Sequence, residues 1–155
     1  MKAIVIFDGR FFNNDGRASS YHLTYDKFSK RYLTEFSEIE IVGRLYDRKD
    51  ASANPVDGDN VTFRGIPGYN GPLGFITTLR KTLATLNSID RKDKVVIYRT
   101  PGTIPFLDWM LFSSFGRRRY CVEVVADPFD QLSKGTTKNL FRPLFQRLFT
   151  FLLKK

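Results

Sequence analysis

Short apolar and β-branched runs recur along the chain, separated by polar loops or by segments with helical spacing. They comprise residues 3–7, 39–45, 61–63, 94–98 and 120–126. Runs of this length that are bounded by turn residues are typical of strands covered on both faces in a parallel sheet. Because they alternate with helical segments, the pattern predicts an α/β fold with a Rossmann-like, doubly wound parallel sheet.

Two of the intervening segments have apolar residues at helical spacing. The first follows a loop at residues 13–16, which tolerates positive φ, and Ser19 or Ser20 is its expected cap. The second begins at Pro72, a residue favoured in the first turn of a helix. Its apolar side is predicted to pack on the core and comprises Leu73, Ile76, Leu79, Leu83 and Leu86.

Charged and small residues follow the last two predicted strands. Arg99 and Gly102 come directly after the fourth strand, and Asp127 and Asp130 come after the fifth, where Pro128 ends the strand. In open α/β sheets, ligands bind at the edge formed by the carboxyl ends of the strands. The sequence therefore predicts that these residues share one ligand-binding edge.

The composition is that of one folded, basic domain. The chain has 155 residues, 42% of them hydrophobic, and a net charge of +9. An excess of this size predicts an anionic partner, which could be nucleic acid, a phosphorylated ligand or an acidic membrane surface. The only cysteine, Cys121, lies in the fifth strand and is expected to be buried. No apolar run is long enough to span a bilayer.

Several chemistries lack their sequence signals. Gly9 and Gly16 stand too far apart for a dinucleotide fingerprint or a P-loop. One histidine, His22, and one cysteine offer no metal-ligand spacing, so we expect no metal and no cofactor, and no catalytic residue is identified. We interpret Asp8 as a turn residue, because Asp-Gly is a common turn dipeptide. A metal site is not favoured, because Arg10 supplies a cation where a second carboxylate would be needed.

The last segment, residues 143–155, is amphipathic on a helical wheel. Leucines and phenylalanines cover about half of its circumference, and basic residues gather on the other half. One interpretation is packing against the sheet or a following domain. The other is binding to an anionic membrane surface. The membrane-surface residues would then be Arg142, Arg147, Phe149 and Lys154.

Two motifs carry a resemblance to a known family. The fourth strand leads into Arg99-Thr100-Pro101-Gly102, and the fifth reads Glu123-Val124-Val125-Ala126-Asp127-Pro128-Phe129. With these motifs in this order, the chain resembles the N-terminal, acceptor-binding half of bacterial family 4 glycosyltransferases, which have the GT-B fold. In that family a strand ending in Arg-x-Pro-Gly, a helix, and a strand reading Glu-Val-Val-Gly-Asp-Pro-Trp follow one another.

The resemblance implies a retaining enzyme that transfers a sugar from a nucleotide-sugar to a polysaccharide or lipid-linked acceptor without a metal. Such an enzyme would be cytoplasmic and peripheral on the inner membrane face. By position, the residues beside the acceptor cleft would be Arg99, Gly102, Asp127 and Asp130. The loop near the donor phosphates would comprise Asp15, Gly16 and Arg17.

The chain also departs from the family pattern. Ala126 stands where the family has a glycine, and the sequence ends at Lys155 without a donor-binding half. We therefore expect residues 1–155 to be a GT-B N-terminal domain, itself incomplete. The C-terminal, nucleotide-sugar-binding domain is the missing partner, and no glycosyl transfer is expected from this chain alone.

Two other classes of function stay open at this point. The first is a small basic nucleic-acid-binding domain or metal-dependent nuclease, which would use Asp8, Asp127 and Asp130 and would cleave RNA or DNA. We consider nucleic acid the less favoured partner. The second is a non-catalytic module that docks on another subunit and forms a stable heteromer.

Overall fold

The computed structural model describes residues 1–113 and 119–125. The strands are β1 (Lys2–Asn14), β2 (Arg17–Ser20), β3 (Glu38–Tyr46), β4 (Asn54–Pro55), β5 (Val61–Pro67), β6 (Lys94–Thr100) and β7 (Tyr120–Val124). The helices are α1 (Tyr25–Tyr32), α2 (Gly71–Asn87) and α3 (Thr103–Asp108), the last continuing into a π-helical turn at Trp109–Ser113. Six predicted site residues lie outside the described part: Asp127, Asp130, Arg142, Arg147, Phe149 and Lys154.

The fold is mixed α/β with a mostly parallel central sheet. The parallel strands lie in the order β5-β3-β1-β6-β7. Strand β2 instead pairs antiparallel with the end of β1, and β4 pairs antiparallel with β2. The prediction of a parallel sheet is therefore confirmed for five strands and wrong at β2 and β4. The order reverses at β1, because β3 and β5 lie on one side of it and β6 and β7 on the other.

Strand β1 is buried on both faces, which explains its continuous apolar run. Ala3 and Val5 contribute to one hydrophobic core with Phe28 of α1. Ile4 and Ile6 contribute to the other, which includes Leu86 of α2 and Ile104 of α3. Helices therefore cover both faces of the sheet. No helix among the described residues is long and apolar enough to cross a membrane.

The predicted loop at residues 13–16 is instead the tip of a β-hairpin. Strand β1 continues to Asn14, and the two-residue turn consists of Asp15 (φ 52°) and Gly16 (φ 88°). Positive φ at both positions is the geometry of tight hairpin turns, for which Asp-Gly is a favoured pair. Ser19 and Ser20 are consequently buried in β2 and cap no helix, because α1 begins after Thr24.

Helix α2 begins as predicted, with Pro72 in its first turn, but only part of the predicted apolar side faces the sheet: Leu86 is buried, and Leu79 and Leu83 are half-buried. The predicted apolar side fails at Leu73 and Ile76, which are 79% and 64% exposed. The side that packs on the core includes the partly buried Phe75 and the fully buried Thr82 and Leu86. Thr82 occupies a fully buried position, so the helix is rotated by about one residue from the side that apolar residues alone indicate.

Gly74 of α2 offers a test of helix propensity. A Cβ at this position would lie 3.5 Å from the Cβ of Tyr69, an ordinary van der Waals contact. We expect Gly74→Ala to raise the free energy of unfolding by about 0.5–1 kcal/mol, because alanine loses less backbone entropy in a helix. Urea denaturation would measure this change, and a loss of stability would contradict it.

Strand β7 is not the buried strand that its sequence predicts. Among the described residues it pairs only with β6, and Cys121 is exposed. Tyr120, Val122 and Val124 are also 43–54% exposed. The prediction of a buried Cys121 is therefore wrong, because an apolar run indicates burial only where another element of the fold covers the strand.

Candidate functional site

The candidate site lies where β1 and β6 separate. The two strands pair in parallel from Lys2 and Lys94 to Ile6 and Tyr98. Beyond Ile6 the register of β1 against β3 also shifts, up to Arg10. This is the point at which the strand order reverses, and it lies at the carboxyl ends of the strands. In open α/β sheets the crevice at such a switch point is the usual ligand site.

Asp8 lies at this switch point, directly after the paired part of β1. Its Oδ2 accepts hydrogen bonds from the backbone N–H groups of Thr103 and Ile104, the latter at 3.4 Å. Its Oδ1 accepts a hydrogen bond from the Tyr69 hydroxyl at 3.2 Å. The carboxylate thus caps the start of α3 and joins it to the loop before α2. The interpretation of Asp8 as a simple turn residue is therefore incomplete.

Arg44 of β3 completes this group of residues. Its Nη2 donates to the Asp8 carbonyl oxygen at 2.7 Å, and its Nε lies 3.6 Å from Asp8 Oδ1. The guanidinium stacks over the Tyr69 ring, 4.8 Å from the centroid. At 3.6 Å the Nε–carboxylate contact is an ion pair without a hydrogen bond, and this buried Nε has no hydrogen-bond partner in the described part of the chain. We call Asp8, Arg44, Tyr69 and Thr103 the switch-point cluster.

Burial dominates the electrostatics of the cluster. It raises the pKa of Asp8 above its ordinary value, although Arg44, two backbone N–H groups and Tyr69 each oppose the rise. Burial, followed by the Asp8 charge, also raises the pKa of the Tyr69 phenol. Tyr69 therefore stays a neutral donor at physiological pH, and Asp8 gains a proton more readily than an exposed aspartate.

The raised pKa of Asp8 predicts a pH dependence of stability. Between 3.8, its ordinary value, and its higher folded value, the folded state binds a proton that the unfolded state has released. The free energy of unfolding should therefore fall as pH rises, by at most about 1.4 kcal/mol per pH unit. The Asp8→Asn side chain does not titrate. The free energy of unfolding of the unaltered chain minus that of this variant should therefore fall from about pH 4 upward.

Urea denaturation of the unaltered chain and Asp8→Asn between about pH 4 and pH 7 would measure that difference. Taking the difference removes the contribution of every other titrating group that the substitution leaves unaffected. A difference that stays constant, or grows in favour of the unaltered chain as pH rises, would contradict the raised pKa.

The cluster holds the start of α3 and the loop before α2 in place, and it does not present a free base. Each Asp8 oxygen already faces a donor, and its charged neighbour is a guanidinium. Among residues 1–113 and 119–125, no group of three or more His, Cys, Asp or Glu side chains could hold a metal ion. A metal-binding interpretation of Asp8 finds no support in these surroundings, because a divalent ion needs further oxygen ligands.

Gly102 lies next to the cluster, at the carboxyl edge of the sheet where the sequence places it. A Cβ at this residue would lie 2.9 Å from Asp8 Oδ2 and 3.0 Å from Pro105 Cδ. Contacts this short do not fit a side chain. Glycine is therefore needed so that the segment after β6 can approach the Asp8 carboxylate.

Arg99 lies near the carboxyl end of β6, but its side chain is engaged on the α1 face. Its Nε donates to Glu123 Oε1 at 3.1 Å, and its guanidinium stacks over Phe7, 5.1 Å from the ring centroid. Glu123 also accepts from the Tyr32 hydroxyl at 2.5 Å and pairs with Arg31 at 2.6 Å. Arg99 thus links β6 to β7 through Glu123, and Glu123 in turn binds α1, so the Arg99 side chain does not point freely toward the switch point.

Asp15, Gly16 and Arg17 form a compact hairpin end and not an open loop. Asp15 pairs with Lys49, and Arg17 Nε lies 3.4 Å from an Asp57 carboxylate oxygen. The side chains of Asp15 and Arg17 are substantially exposed. The hairpin corrects the predicted local structure, and the contact with donor phosphates stays a prediction.

The sequence did not identify Arg44 or Tyr69 as site residues. They come from two different segments, and neither belongs to a motif. A signal existed for Asp8, because it directly follows the first apolar run and so had to lie at the carboxyl edge of the sheet.

Comparison with known proteins gives one similarity. The chain is 29% identical over 105 residues to Protein CapJ of Staphylococcus aureus. The matched region is 67% of this chain and 27% of CapJ, so the similarity concerns a limited part of the longer protein. No family model matches the chain, and no solved structure matches it.

Proposed function

We propose that this chain is the acceptor-side, N-terminal part of a retaining glycosyltransferase with the GT-B fold. A second, nucleotide-sugar-binding domain would supply the sugar, and the acceptor would be a polysaccharide or a lipid-linked glycan. The observation that carries the proposal is the switch point at the carboxyl ends of β1 and β6, where the Arg99-Thr100-Pro101-Gly102 motif brings the start of α3 against Asp8.

Other features support this proposal. The parallel strands reverse their order at β1, as in other doubly wound sheets that bind ligands at this point. The Thr100 hydroxyl is buried at the same edge and has no hydrogen-bond partner within residues 1–113 and 119–125. The similarity to CapJ is compatible with a role related to glycosyl transfer, without specifying one.

Glycosyl transfer depends mainly on correctly placed charges and on the exclusion of water. In the proposed enzyme, Asp8 and Gly102 fix the start of α3 and so shape the acceptor side of the cleft. The Arg99–Glu123 pair holds β6 against β7 and keeps that side rigid. The donor, its departing diphosphate and the second wall of the cleft belong to the other domain.

The proposal is tested by mapping ligand contacts with NMR. The ¹⁵N-labelled chain is titrated with hexoses, N-acetylhexosamines and polyprenyl phosphate in micelles. Binding should shift the amide signals of Gly102 and Thr103 at the carboxyl edge. The amides of Ile39 and Asn60, whose backbones are joined by a hydrogen bond near the amino end of β3, serve as the control and should not shift. No response at Gly102 and Thr103 to any probe would refute the acceptor role.

The net charge of +9 favours nucleic acid as the second candidate partner. A nuclease would have to use Asp8 with metal, yet Asp8 is already bonded to Arg44, Tyr69 and the start of α3. We therefore expect no magnesium-dependent cleavage of RNA or DNA by this chain. Cleavage that stops on addition of a chelator would reverse the order of the two proposals.

A further inference from the structure

Arg10 and Arg44 stand side by side at the carboxyl edge. After the register shift in β1, the backbone of Arg10 lies opposite that of Arg44 in β3, and Phe11 lies opposite Leu45. Residues in register on neighbouring strands project from the same face of a sheet. Two guanidinium groups therefore occupy adjacent positions on strands that meet at the switch-point crevice.

The pattern of burial identifies the face independently. Phe11 is fully buried in the core beneath α1, so its neighbour Arg10 projects toward the opposite face, the face of α2 and α3. Arg44 lies on that same face, because it stacks over Tyr69. Arg10 and the switch-point cluster are thus on one side of the sheet.

The local charge balance is positive. Asp8 is the one carboxylate paired with Arg44 in the described part of the chain, and burial disfavours its ionised form. Arg10 is exposed, and no ion pair or hydrogen bond to its side chain is found among residues 1–113 and 119–125. Placing two cations in register destabilises the sheet unless a counter-charge lies nearby.

We infer that Arg10, with Arg44 behind it, forms a site for a phosphoryl group at the carboxyl edge of the sheet. This inference rests on the proposed function for the identity of its ligand, which would be the phosphate of either the nucleotide-sugar or the lipid carrier. Arg10 provides the exposed fork of N–H donors that suits phosphate oxygens, and Arg44 adds positive potential from within the sheet.

This site differs from the predicted donor-phosphate loop. Arg17 of that loop already pairs with Asp57, and the Asp15 carboxylate at its tip already pairs with Lys49, so the hairpin end has no unpaired cation to offer among the described residues. Arg10 has no such competitor in the described part of the chain. The phosphate contact is therefore assigned to the position just after Asp8-Gly9, at the switch point itself, and not to the hairpin end.

The test uses inorganic pyrophosphate as the probe, measured by calorimetry at fixed ionic strength. Arg10→Gln should weaken pyrophosphate binding at least tenfold, and Arg10→Lys should restore part of it. The matched control is Arg80→Gln, since Arg80 is an exposed arginine on α2. The pyrophosphate affinity of this variant should differ from that of the unaltered chain by less than twofold. Thermal unfolding of each variant confirms that the fold is retained.

Two results would overturn the inference. One is the absence of pyrophosphate binding at millimolar concentration. The other is an equal, small loss in Arg10→Gln and Arg80→Gln, which would show diffuse attraction by the net charge and no defined site. A tenfold loss confined to Arg10→Gln supports the site.

The source of the phosphate is separated by competition. Uridine diphosphate and polyprenyl phosphate in micelles are each tested for displacing pyrophosphate from the unaltered chain. Displacement by the first indicates the nucleotide-sugar, displacement by the second indicates the lipid carrier, and failure of both overturns the inference. Pyrophosphate binding that depends on Arg10, with no acceptor probe shifting the amide signals of Gly102 or Thr103, would support the anion site and refute the acceptor role. Shifted amide signals without Arg10-dependent pyrophosphate binding would refute the anion site and leave the acceptor role supported.

Discussion

Replacing Asp108 by alanine is expected to lower the free energy of unfolding by about 3–5 kcal/mol. Asp108 is fully buried, forms an ion pair with Arg91 and accepts a hydrogen bond from the Tyr98 hydroxyl at 2.8 Å. The Arg91 side chain is only 4% exposed. The substitution therefore leaves a buried guanidinium without its counter-charge, which costs far more than the pair itself contributes.

Arg91 cannot easily escape to solvent when Asp108 is lost. Its Nη2 also donates to the Leu86 carbonyl oxygen at 2.8 Å, and its Nη1 donates to that of Ile89 at 3.0 Å. The guanidinium stacks over Phe112, 4.3 Å from the ring centroid. These contacts connect the end of α2 to α3 and its π-helical turn. The loss of Asp108 should therefore weaken the packing of both helices on that face of the sheet.

Urea denaturation with an exposed carboxylate as the control tests this prediction. Asp90 lies 3.7 Å from Lys94, but its side chain is 74% exposed. We expect Asp90→Ala to destabilise the protein far less than Asp108→Ala, because an exposed ion pair is screened by solvent and contributes little. Equal losses for Asp90→Ala and Asp108→Ala would mean that burial of the Arg91 pair does not govern its energetics.

A double substitution separates charge from packing. Arg91→Met with Asp108→Leu removes both charges and keeps apolar volume, so much of the stability lost in Asp108→Ala should return. The Tyr98 hydroxyl keeps its contact with Ser113 Oγ at 2.7 Å and is not left without a partner. A double variant as unstable as Asp108→Ala would indicate that the loss comes from packing and not from the unpaired charge.

The parallel strands could be predicted because their signal is local. Five apolar runs give the five strands of the parallel part of the sheet, and Pro72 marks the start of α2. The sequence does not show which side of α2 is buried, because Thr82 takes a core position that an apolar pattern cannot identify.

The hairpin between β1 and β2 could be predicted only in part. Asp15-Gly16 is a favoured pair for a tight turn, yet the residues that follow it give no apolar alternation. Ser19 and Ser20 are buried in β2, where serine is not expected from composition. The hydroxyls that suggest a helix cap are instead enclosed by the sheet.

The switch-point cluster could not be assembled from the sequence. Asp8 is separated from Arg44 by 36 residues, from Tyr69 by 61 and from Thr103 by 95. Its position at a strand end could be inferred, but its partners depend on the strand order, which places β3 and β6 on either side of β1. Gly102 lies next to Asp8 at the carboxyl edge, where the sequence placed it after the fourth strand, and its predicted contact with an acceptor stays a prediction.

Gly102→Val is expected to lower the free energy of unfolding by about 3 kcal/mol, the sum of overpacking and of a damaged helix cap. The added Cβ would lie 2.9 Å from Asp8 Oδ2 and 3.2 Å from Asp8 Cβ. The carboxylate would have to move, and it would lose its hydrogen bonds to Thr103 and Ile104. Urea denaturation measures the loss, and Gly74→Ala, where the new Cβ has room, is the control.

A double-mutant cycle decides whether Gly102 acts through Asp8. In an Asp8→Ala background the carboxylate that valine would strike is gone and the cap is already lost, so Gly102→Val should cost about 1–2 kcal/mol less than it does in the unaltered chain. Additive losses would mean that valine clashes mainly with Pro105, whose Cδ would lie 3.0 Å from a Cβ at Gly102. A strong coupling would show instead that Gly102 is required to hold the Asp8 cap, and any weakening of acceptor binding in Gly102→Val would then follow from a displaced α3 and not from a lost direct contact.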